Sequence, residues 1–259
     1  MLTMNISLIQ TDIAWADKKA NLLKTEENLS VLVRKTDLVV LPEMFTTGFC
    51  TDRIDFAETM EGETVKTLVR WARKFDFAIV GSFIARENGD IYNRAFFIFP
   101  DGRIETADKR HLFSIGGEDK TFKSGDKRLI VSYLGLKICV MVCYDIRFPV
   151  WSRNVNNEYD LLIYVANFPQ ARMDAWDALL KARAIENQSY VCGLNRVGKD
   201  GLNIDYSGHS VMLDFKGKEM LTFEDNKSGM QTINLPKDPL DSFRNKFAFW
   251  KDADDFRII

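Results

Sequence analysis

The stretch Lys137-Ile-Cys-Val-Met-Val-Cys-Tyr-Asp-Ile-Arg-Phe-Pro149 joins an apolar run to a polar one at a thiol. Residues 138–142 are apolar and mostly β-branched, which predicts one buried strand. Pro149 predicts that a helix begins there, because proline is tolerated in a first helical turn. Cys143 is then expected near backbone N–H groups that stabilise an anion and lower a thiol pKa. Free cysteines are also often small buried hydrophobic residues, so this stretch alone leaves both interpretations open.

The composition is typical of a globular protein and excludes several classes of partner. The chain has 259 residues, of which 28% are charged and 46% hydrophobic, and its net charge is −2. This length can bury a large core, and we predict that residues 1–259 form a single α/β domain. The near-neutral charge gives no electrostatic argument for a nucleic acid or an anionic membrane as partner. No apolar run reaches the ~18 residues of a membrane span.

Cysteine and histidine usage narrows the chemistry further. The first ten residues lack the basic start, apolar segment and cleavage site of a signal peptide, so we predict a cytoplasmic protein. Its four cysteines are then expected to be free thiols. There are only two histidines, no zinc-ligand spacing and no glycine-rich phosphate loop. No metal site is predicted, and cysteine, carboxylate and lysine chemistry remains.

Hydrophobic periodicity predicts alternating strands and helices, followed by a β-rich end. Helices are predicted over 17–34, 64–75, 149–157 and 175–188, and strands over 4–9, 37–42, 77–84, 92–99, 128–134, 137–142, 161–166, 190–197, 207–214, 219–223 and 229–235, with a short strand towards Asp108. Residues 109–125 are predicted to be a long loop, and such loops are usually functional. Residues 236–259 are predicted to be an irregular C-terminal tail. The pattern indicates layered α/β architecture with mixed sheets.

Three of the predicted strands are each followed by a chemically active side chain. Glu43 follows the strand that ends near Leu41, Lys109 follows the one that ends near Asp108, and Cys143 follows the one that ends at Val142. Chemistry in open α/β sheets gathers beyond the carboxyl ends of strands. Taken singly, Glu43 could be an acid at a helix start and Lys109 a solvated surface residue. Together the three types form a working set, and we expect them to converge.

These side-chain types suit acyl transfer without histidine. A carboxylate can accept the proton of a thiol, and an ammonium group can stabilise the thiolate. The same carboxylate, once protonated, can donate to a leaving amine. Lys109 and the backbone N–H of Tyr144 are predicted to stabilise the oxyanion of a tetrahedral intermediate. Amides fit this chemistry, because their ammonia must be protonated to leave.

Several motifs resemble those of the nitrilase (carbon–nitrogen hydrolase) superfamily. They are Leu-Pro-Glu-Met-Phe at 41–45, Lys-Arg-His-Leu-Phe at 109–113, Val-Cys-Tyr-Asp-Ile-Arg-Phe-Pro at 142–149, Tyr-Val-Ala-Asn-Phe-Pro at 164–169 and Ala-Arg-Ala-Ile-Glu-Asn-Gln at 182–188. The resemblance implies that Glu43 is the general base, Lys109 the oxyanion stabiliser and Cys143 the nucleophile. It also implies Glu118 as a second catalytic glutamate, although a loop-surface acid is the alternative. It further implies an α-β-β-α sandwich, a homodimer and no cofactor.

Within the superfamily, the chain most resembles the omega-amidase-like branch. The short length and Trp-Lys-Asp-Ala-Asp-Asp-Phe at 250–256 fit this branch. The resemblance implies hydrolysis of the terminal amide of small dicarboxylate monoamides, such as alpha-ketoglutaramate and succinamate, through a cysteine thioester. The alternatives are an N-carbamoyl-amide or nitrile hydrolase, and a non-catalytic interaction protein on the same fold.

A substrate of this class carries a carboxylate, which needs a cation. Arg147 and Phe168 are predicted to bind substrate, with Arg172 and Arg183 as rival cations. A guanidinium group matches a carboxylate bidentately. Arg147 could instead form a structural salt bridge with Asp145 or another internal acid, and the sequence leaves both roles open.

Overall fold

Two six-stranded mixed sheets lie face to face, with helices on their outer faces. This computed structural model describes residues 2–258. The strands are β1 (Thr3–Gln10), β2 (Leu38–Val40), β3 (Ala78–Glu87), β4 (Asp90–Ile98), β5 (Ile104–Asp108), β6 (Leu129–Tyr133), β7 (Leu136–Val142), β8 (Leu161–Ala166), β9 (Tyr190–Asn195), β10 (Val197–Lys199), β11 (Asp205–Ser207), β12 (Val211–Leu213), β13 (Glu219–Thr222) and β14 (Gly229–Pro236). The helices are α1 (Lys18–Ser30), α2 (Glu63–Phe75), α3 (Pro149–Ser152), α4 (Met173–Asn187) and α5 (Lys237–Lys246).

The two sheets repeat one arrangement. The first has the order β14-β1-β2-β3-β4-β5, in which β1, β2 and β3 are parallel. The second has the order β13-β12-β9-β8-β7-β6, in which β7, β8 and β9 are parallel. Antiparallel strands flank each parallel set, and β10 and β11 form a separate hairpin. The predicted mixed sheets are therefore confirmed.

Strand β2 shows how the sequence pattern builds two cores. Successive side chains of a strand point to opposite faces of the sheet. Leu38 and Val40 belong to the core between the two sheets, whereas Val39 packs with Leu68 and Trp71 beneath α1 and α2. A strand buried on both faces is continuously apolar, which is why 38–40 contains no polar residue.

Helix α4 covers the outer face of the second sheet. Its residues Trp176, Leu180 and Ala184 are fully buried. The helix approaches β9 so closely that a Cβ on Gly193 would lie 2.3 Å from a Leu180 methyl carbon. A larger residue at this position in β9 would therefore force the side chains of Leu180 and Trp176 to shift. With α1 and α2 on the other side, the layers form the α-β-β-α sandwich predicted from the sequence.

The prediction of an irregular tail from residue 236 onward is wrong for α5. This helix begins at Lys237 and ends at Lys246, and it buries Leu240 and Arg244. Its sequence is mostly polar, so hydrophobic periodicity was too weak to indicate a helix. Pro239 argued against a helix, but it lies in the first turn, where proline removes no helical hydrogen bond.

Other boundaries differ in smaller ways. The predicted helix over 149–157 is a single turn at Pro149–Ser152, followed by a separate 3-10 turn at Val155–Asn157. The predicted strand over 207–214 is interrupted between β11 and β12. A hairpin turn at Asn88 and Gly89 joins β3 to β4, and both residues have positive φ angles, 50° and 88°. The loop after Lys109 contains two short 3-10 turns, Ser114–Gly116 and Glu118–Lys120.

Candidate active site

The three predicted side chains meet in the interior. Glu43 follows β2, Lys109 follows β5 directly, and Cys143 follows β7 directly; all three are buried. Lys109 Nζ lies 2.9 Å from Glu43 Oε1. The alternative of a solvated surface lysine is therefore wrong for Lys109, whose side chain has no exposed area.

Glu118 joins this group from the long loop. Its Oε2 lies 2.9 Å from Lys109 Nζ and also accepts a hydrogen bond from Phe113 N at 2.7 Å. Its Oε1 lies 3.1 Å from the same Nζ. Glu118 is fully buried, so the alternative of a loop-surface acid is wrong. Two carboxylates thus share one ammonium group.

Two further polar residues complete the cluster, and sequence reasoning missed both. Asn93 Nδ2 donates to Glu43 Oε1 at 2.8 Å and to Glu118 Oε1 at 3.0 Å. Ser82 Oγ donates to Asn93 Oδ1 at 2.9 Å. The signal available in the sequence was an asparagine inside the predicted strand 92–99, since a buried polar side chain requires partners.

Asn167, which follows β8, fixes the position of Glu43. Its backbone N–H donates to Glu43 Oε2 at 2.8 Å, and its side-chain Nδ2 donates to the backbone oxygen of Glu43 at 2.7 Å. Asn195 in turn binds both backbone groups of Phe168, at 2.8 and 2.9 Å. In the Asn-Phe-Pro motif at 167–169, Asn167 therefore positions the Glu43 carboxylate, and Phe168 is held as part of the adjacent wall of the site.

The backbone at Cys143 is strained. Its φ angle is 45°, in the left-handed region that residues with a Cβ seldom adopt. Met44, next to Glu43, has the same φ angle. Such outliers cluster at functional sites, where the surrounding structure stabilises them. Cys143 opens a 3-10 helix that extends to Arg147, and the first N–H groups of a helix have no partner within it.

The protonation of Cys143 differs from the sequence expectation. Burial raises the pKa of the Cys143 thiol well above its ordinary value, and the Glu43 carboxylate raises it further. The charge on Lys109 lowers it but does not compensate. The expected lowering of the thiol pKa is therefore wrong, because burial and two nearby carboxylates together outweigh one ammonium group.

The pKa values of Lys109 and Glu118 reflect the same competition between burial and neighbouring charges. Burial alone would lower the pKa of Lys109, but the carboxylates of Glu118 and Glu43 raise it above its ordinary value. Burial raises the pKa of Glu118, and the charge on Lys109 only partly opposes this. Lys109 therefore stays charged at every ordinary pH.

A cavity of about 360 Å³ opens onto this cluster. Cys143 and Lys109 lie at its wall together with Tyr144 and Phe168. The β10–β11 hairpin also lines the cavity, and there Tyr206 donates its hydroxyl hydrogen to Asp200 Oδ2 at 2.9 Å. The cavity is mostly apolar with a few convergent polar groups, as in pockets for small molecules.

Two of the three candidate cations reach the cavity. Arg147 and Arg172 both line it, and neither has a carboxylate partner within the described residues. The buried guanidinium group of Arg183 donates hydrogen bonds to Glu186 Oε1 and to the backbone oxygen of Ile146. Its role is therefore structural.

The alternative salt bridge between Arg147 and Asp145 does not form. Asp145 Oδ1 accepts hydrogen bonds from the backbone N–H of His111 at 3.0 Å and lies 2.8 Å from its ring Nδ1. Its Oδ2 accepts from Val142 N at 3.2 Å. The guanidinium group of Arg147 lies instead over the Phe168 ring, 5.8 Å from its centre.

Residues 2–258 contain neither a membrane-spanning helix nor a cluster of metal-ligating side chains. No helix there is both long and apolar enough to cross a membrane. No cluster of three or more histidine, cysteine, aspartate or glutamate side chains in the same residues is arranged to hold a metal ion.

A family model for carbon–nitrogen hydrolases matches residues 5–245. The chain belongs to the carbon–nitrogen hydrolase family. This carbon–nitrogen hydrolase is 40% identical to omega-amidase YafV of Yersinia enterocolitica over 259 residues, which cover 100% of both chains. It is 34% identical to 2-oxoglutaramate amidase of Bacillus subtilis over 217 residues, which cover 82% of this chain and 83% of that protein.

A solved structure is also similar along its whole length. It is a CN-hydrolase superfamily protein from Xanthomonas campestris with an arsenic adduct in its active site. The two chains are 38% identical, superpose with a TM-score of 0.97 and cover 100% of each other. The predicted nitrilase-type fold and the prediction of an amide-hydrolysing enzyme are therefore confirmed for this carbon–nitrogen hydrolase.

Proposed function

We propose that this enzyme hydrolyses the terminal amide of small dicarboxylate monoamides, of the alpha-ketoglutaramate and succinamate type, to the acid and ammonia. The observation that carries the proposal is one cavity that is lined both by a buried thiol and lysine and by two arginine side chains. Cys143 and Lys109 line this cavity, and Arg147 and Arg172 line it as well. The names of the omega-amidase and 2-oxoglutaramate amidase relatives support the same substrate class.

The first half-reaction forms a thioester. Glu43 takes the proton of Cys143 as the sulfur attacks the amide carbon, so the thiol need not ionise beforehand. The carbonyl oxygen becomes an oxyanion, which Lys109 and the backbone N–H of Tyr144 stabilise. Glu43 then returns the proton to the amide nitrogen, ammonia leaves, and the acyl group remains on the sulfur.

The second half-reaction uses water. Glu43 removes a proton from a water molecule that attacks the thioester carbon, and the same oxyanion donors stabilise the second tetrahedral intermediate. Collapse releases the dicarboxylate, and the sulfur regains its proton. The hydrogen bonds that Glu118 accepts come from Lys109, Asn93 and Phe113. We therefore propose that Glu118 positions Lys109.

The arginines account for selectivity toward an acid. We propose that Arg147 and Arg172 bind the carboxylate at the far end of the substrate, since a guanidinium group pairs with a carboxylate through two hydrogen bonds. Leaving such a pair without one partner costs about 2–5 kcal/mol. Succinamate should then exceed its methyl ester in kcat/KM by about 30-fold or more.

A small panel of amides tests the proposal. Ammonia release is measured for succinamate, its methyl ester, an N-carbamoyl amide and a nitrile, with mass detection of an acyl adduct on Cys143. Fast ammonia release from succinamate with a trapped thioester supports the proposal. Equal rates for the acid and the ester would exclude omega-amidase specificity. Carbon dioxide release, or a faster reaction with the nitrile, would favour the other carbon–nitrogen hydrolases.

A further inference from the structure

Asn93 serves both carboxylates of the site from one nitrogen atom. It lies within β4 with no exposed area. Its Nδ2 carries two hydrogens, one for Glu43 Oε1 at 2.8 Å and one for Glu118 Oε1 at 3.0 Å. No other side-chain amide in the described chain donates to both glutamates.

Ser82 on the adjacent strand fixes the orientation of this amide. Its hydroxyl oxygen accepts the backbone N–H of Met44 at 2.9 Å, which turns the hydroxyl hydrogen toward Asn93 Oδ1, 2.9 Å away. The reversed amide would place an oxygen against two carboxylate oxygens and lose both donors. The amide nitrogen of Asn93 must therefore face the carboxylates.

The charged groups around Glu43 indicate a role for the Asn93 amide. The titratable groups that face Glu43 are Lys109, Glu118 and Cys143. Two buried carboxylates repel each other, which favours protonation of one of them. An asparagine amide donates hydrogen bonds to the charged forms, yet it adds no charge and takes up no proton. It therefore opposes protonation of the carboxylates without competing for protons.

We propose that Asn93, held by Ser82, is a positioning residue that keeps Glu43 ionised and aligned as the proton acceptor for Cys143. Asn93 does not line the cavity, so it acts through Glu43 rather than on the substrate. This inference rests on the proposed function in one respect only, the assignment of Glu43 as the base.

The test measures Cys143 alkylation by iodoacetamide against pH, because this readout needs no substrate. The sulfur displaces iodide and forms a carbon–sulfur bond, while the thiol proton passes to Glu43. Peptide masses separate this reaction from any at Cys50, Cys139 or Cys192. In Asn93→Ala the midpoint of the rate should move about one pH unit upward, because a carboxylate that loses donors binds its proton more tightly.

Ser82→Ala should move the midpoint in the same direction by a smaller amount, since the Asn93 amide remains but loses the hydrogen bond that orients it. Ser7→Ala is the matched control, because Ser7 is equally buried in the same sheet and binds only Thr232 Oγ1, at 2.7 Å. Its midpoint should not move. In amide hydrolysis, Asn93→Ala should lower kcat about 10-fold and leave KM unchanged.

An unmoved midpoint in Asn93→Ala, with a lower melting temperature, would show a merely structural role and overturn the inference. If Asn93→Ala does not fold, an unmoved midpoint in Ser82→Ala overturns it instead. A shifted midpoint in a protein that hydrolyses no dicarboxylate monoamide would leave this inference standing and refute the proposed substrate class alone.

Discussion

At the residue scale, the thiol of Cys143 differs from the other cysteine thiols by its neighbours rather than by its burial. Burial raises the pKa of Cys139 to about 12, and it raises that of Cys50 to about 12 as well. Burial raises the pKa of Cys143 as well, but Cys143 alone among the four lines the cavity and faces a carboxylate and an ammonium group. Its reactivity therefore depends on transfer of its proton to Glu43.

The first prediction distinguishes Cys143 from Cys139, which lies four residues earlier in β7. Cys143→Ala should abolish turnover and leave the fold intact, because only one sulfur atom is lost. Cys139→Ala should stay active, because Cys139 is fully buried in the core and does not line the cavity. It should lose about 1 kcal/mol of stability in urea unfolding. Retained turnover in Cys143→Ala, with loss in Cys139→Ala, would refute the nucleophile assignment.

The second prediction concerns Lys109. Its ammonium group contacts Glu43 and Glu118 in a space without solvent, and the larger planar guanidinium group of arginine cannot reproduce these contacts. Lys109→Arg should lower kcat at least ~100-fold, the effect of removing an oxyanion donor. Lys199→Arg, at an exposed lysine paired with Asp205, is the control and should leave kcat unchanged. Near-normal kcat in Lys109→Arg would contradict its role.

The sequence predicted the residues of the site that carry charge or a thiol, but not the amides that hold them. Glu43, Lys109 and Cys143 each directly follow a predicted strand, so their convergence could be inferred. Asn93 and Asn167 act through hydrogen bonds to Glu43, 50 and 124 positions away. Such contacts depend on strand register and side-chain direction, which hydrophobic periodicity does not specify.

At the element scale, α5 shows that a polar sequence can be held by a few buried contacts. Arg244 binds Asp160 Oδ1 at 2.8 Å and the backbone oxygens of Gln188 and Tyr159, also at 2.8 Å. Leu240 supplies the buried apolar contact. No local pattern encodes this docking, because the partners lie more than 50 positions away, and this explains why the helix was not predicted.

The third prediction follows from that ion pair. Arg244→Met should lower the free energy of unfolding by about 3 kcal/mol, because it leaves Asp160 buried with one partner removed. The kcat of the folded protein should not change, since α5 does not line the cavity. Lys227→Ala breaks an exposed pair with Glu224 and should cost less than about 1 kcal/mol. Equal losses in the two variants, measured in urea, would contradict a docking role for Arg244.

At the scale of the whole molecule, the segment after α5 presents apolar surface. Phe249 is 61% exposed and Phe256 45% exposed. A monomer seldom exposes large apolar patches, and such patches often mark interfaces. The 3-10 turn that contains Phe249 lies against the turn Val155–Asn157. That turn follows α3, and α3 follows the 3-10 helix that begins at Cys143, so the exposed surface is connected through these elements to the segment of chain that carries the thiol. We therefore predict that the segment packs across a two-fold interface between copies of this chain.

The last prediction tests that interface by removing only the exposed segment. A variant that ends at Leu235 would also lose α5 and its buried Leu240 and Arg244, so its failure to fold would be uninformative. A variant that ends at Ala248 keeps α5 and should be a folded monomer in light scattering, whereas the full chain should be a dimer. Leu23→Ser removes an apolar side chain of similar exposure, 56%, from α1 over the other sheet, and it should stay dimeric. A dimeric variant ending at Ala248 would refute this interface.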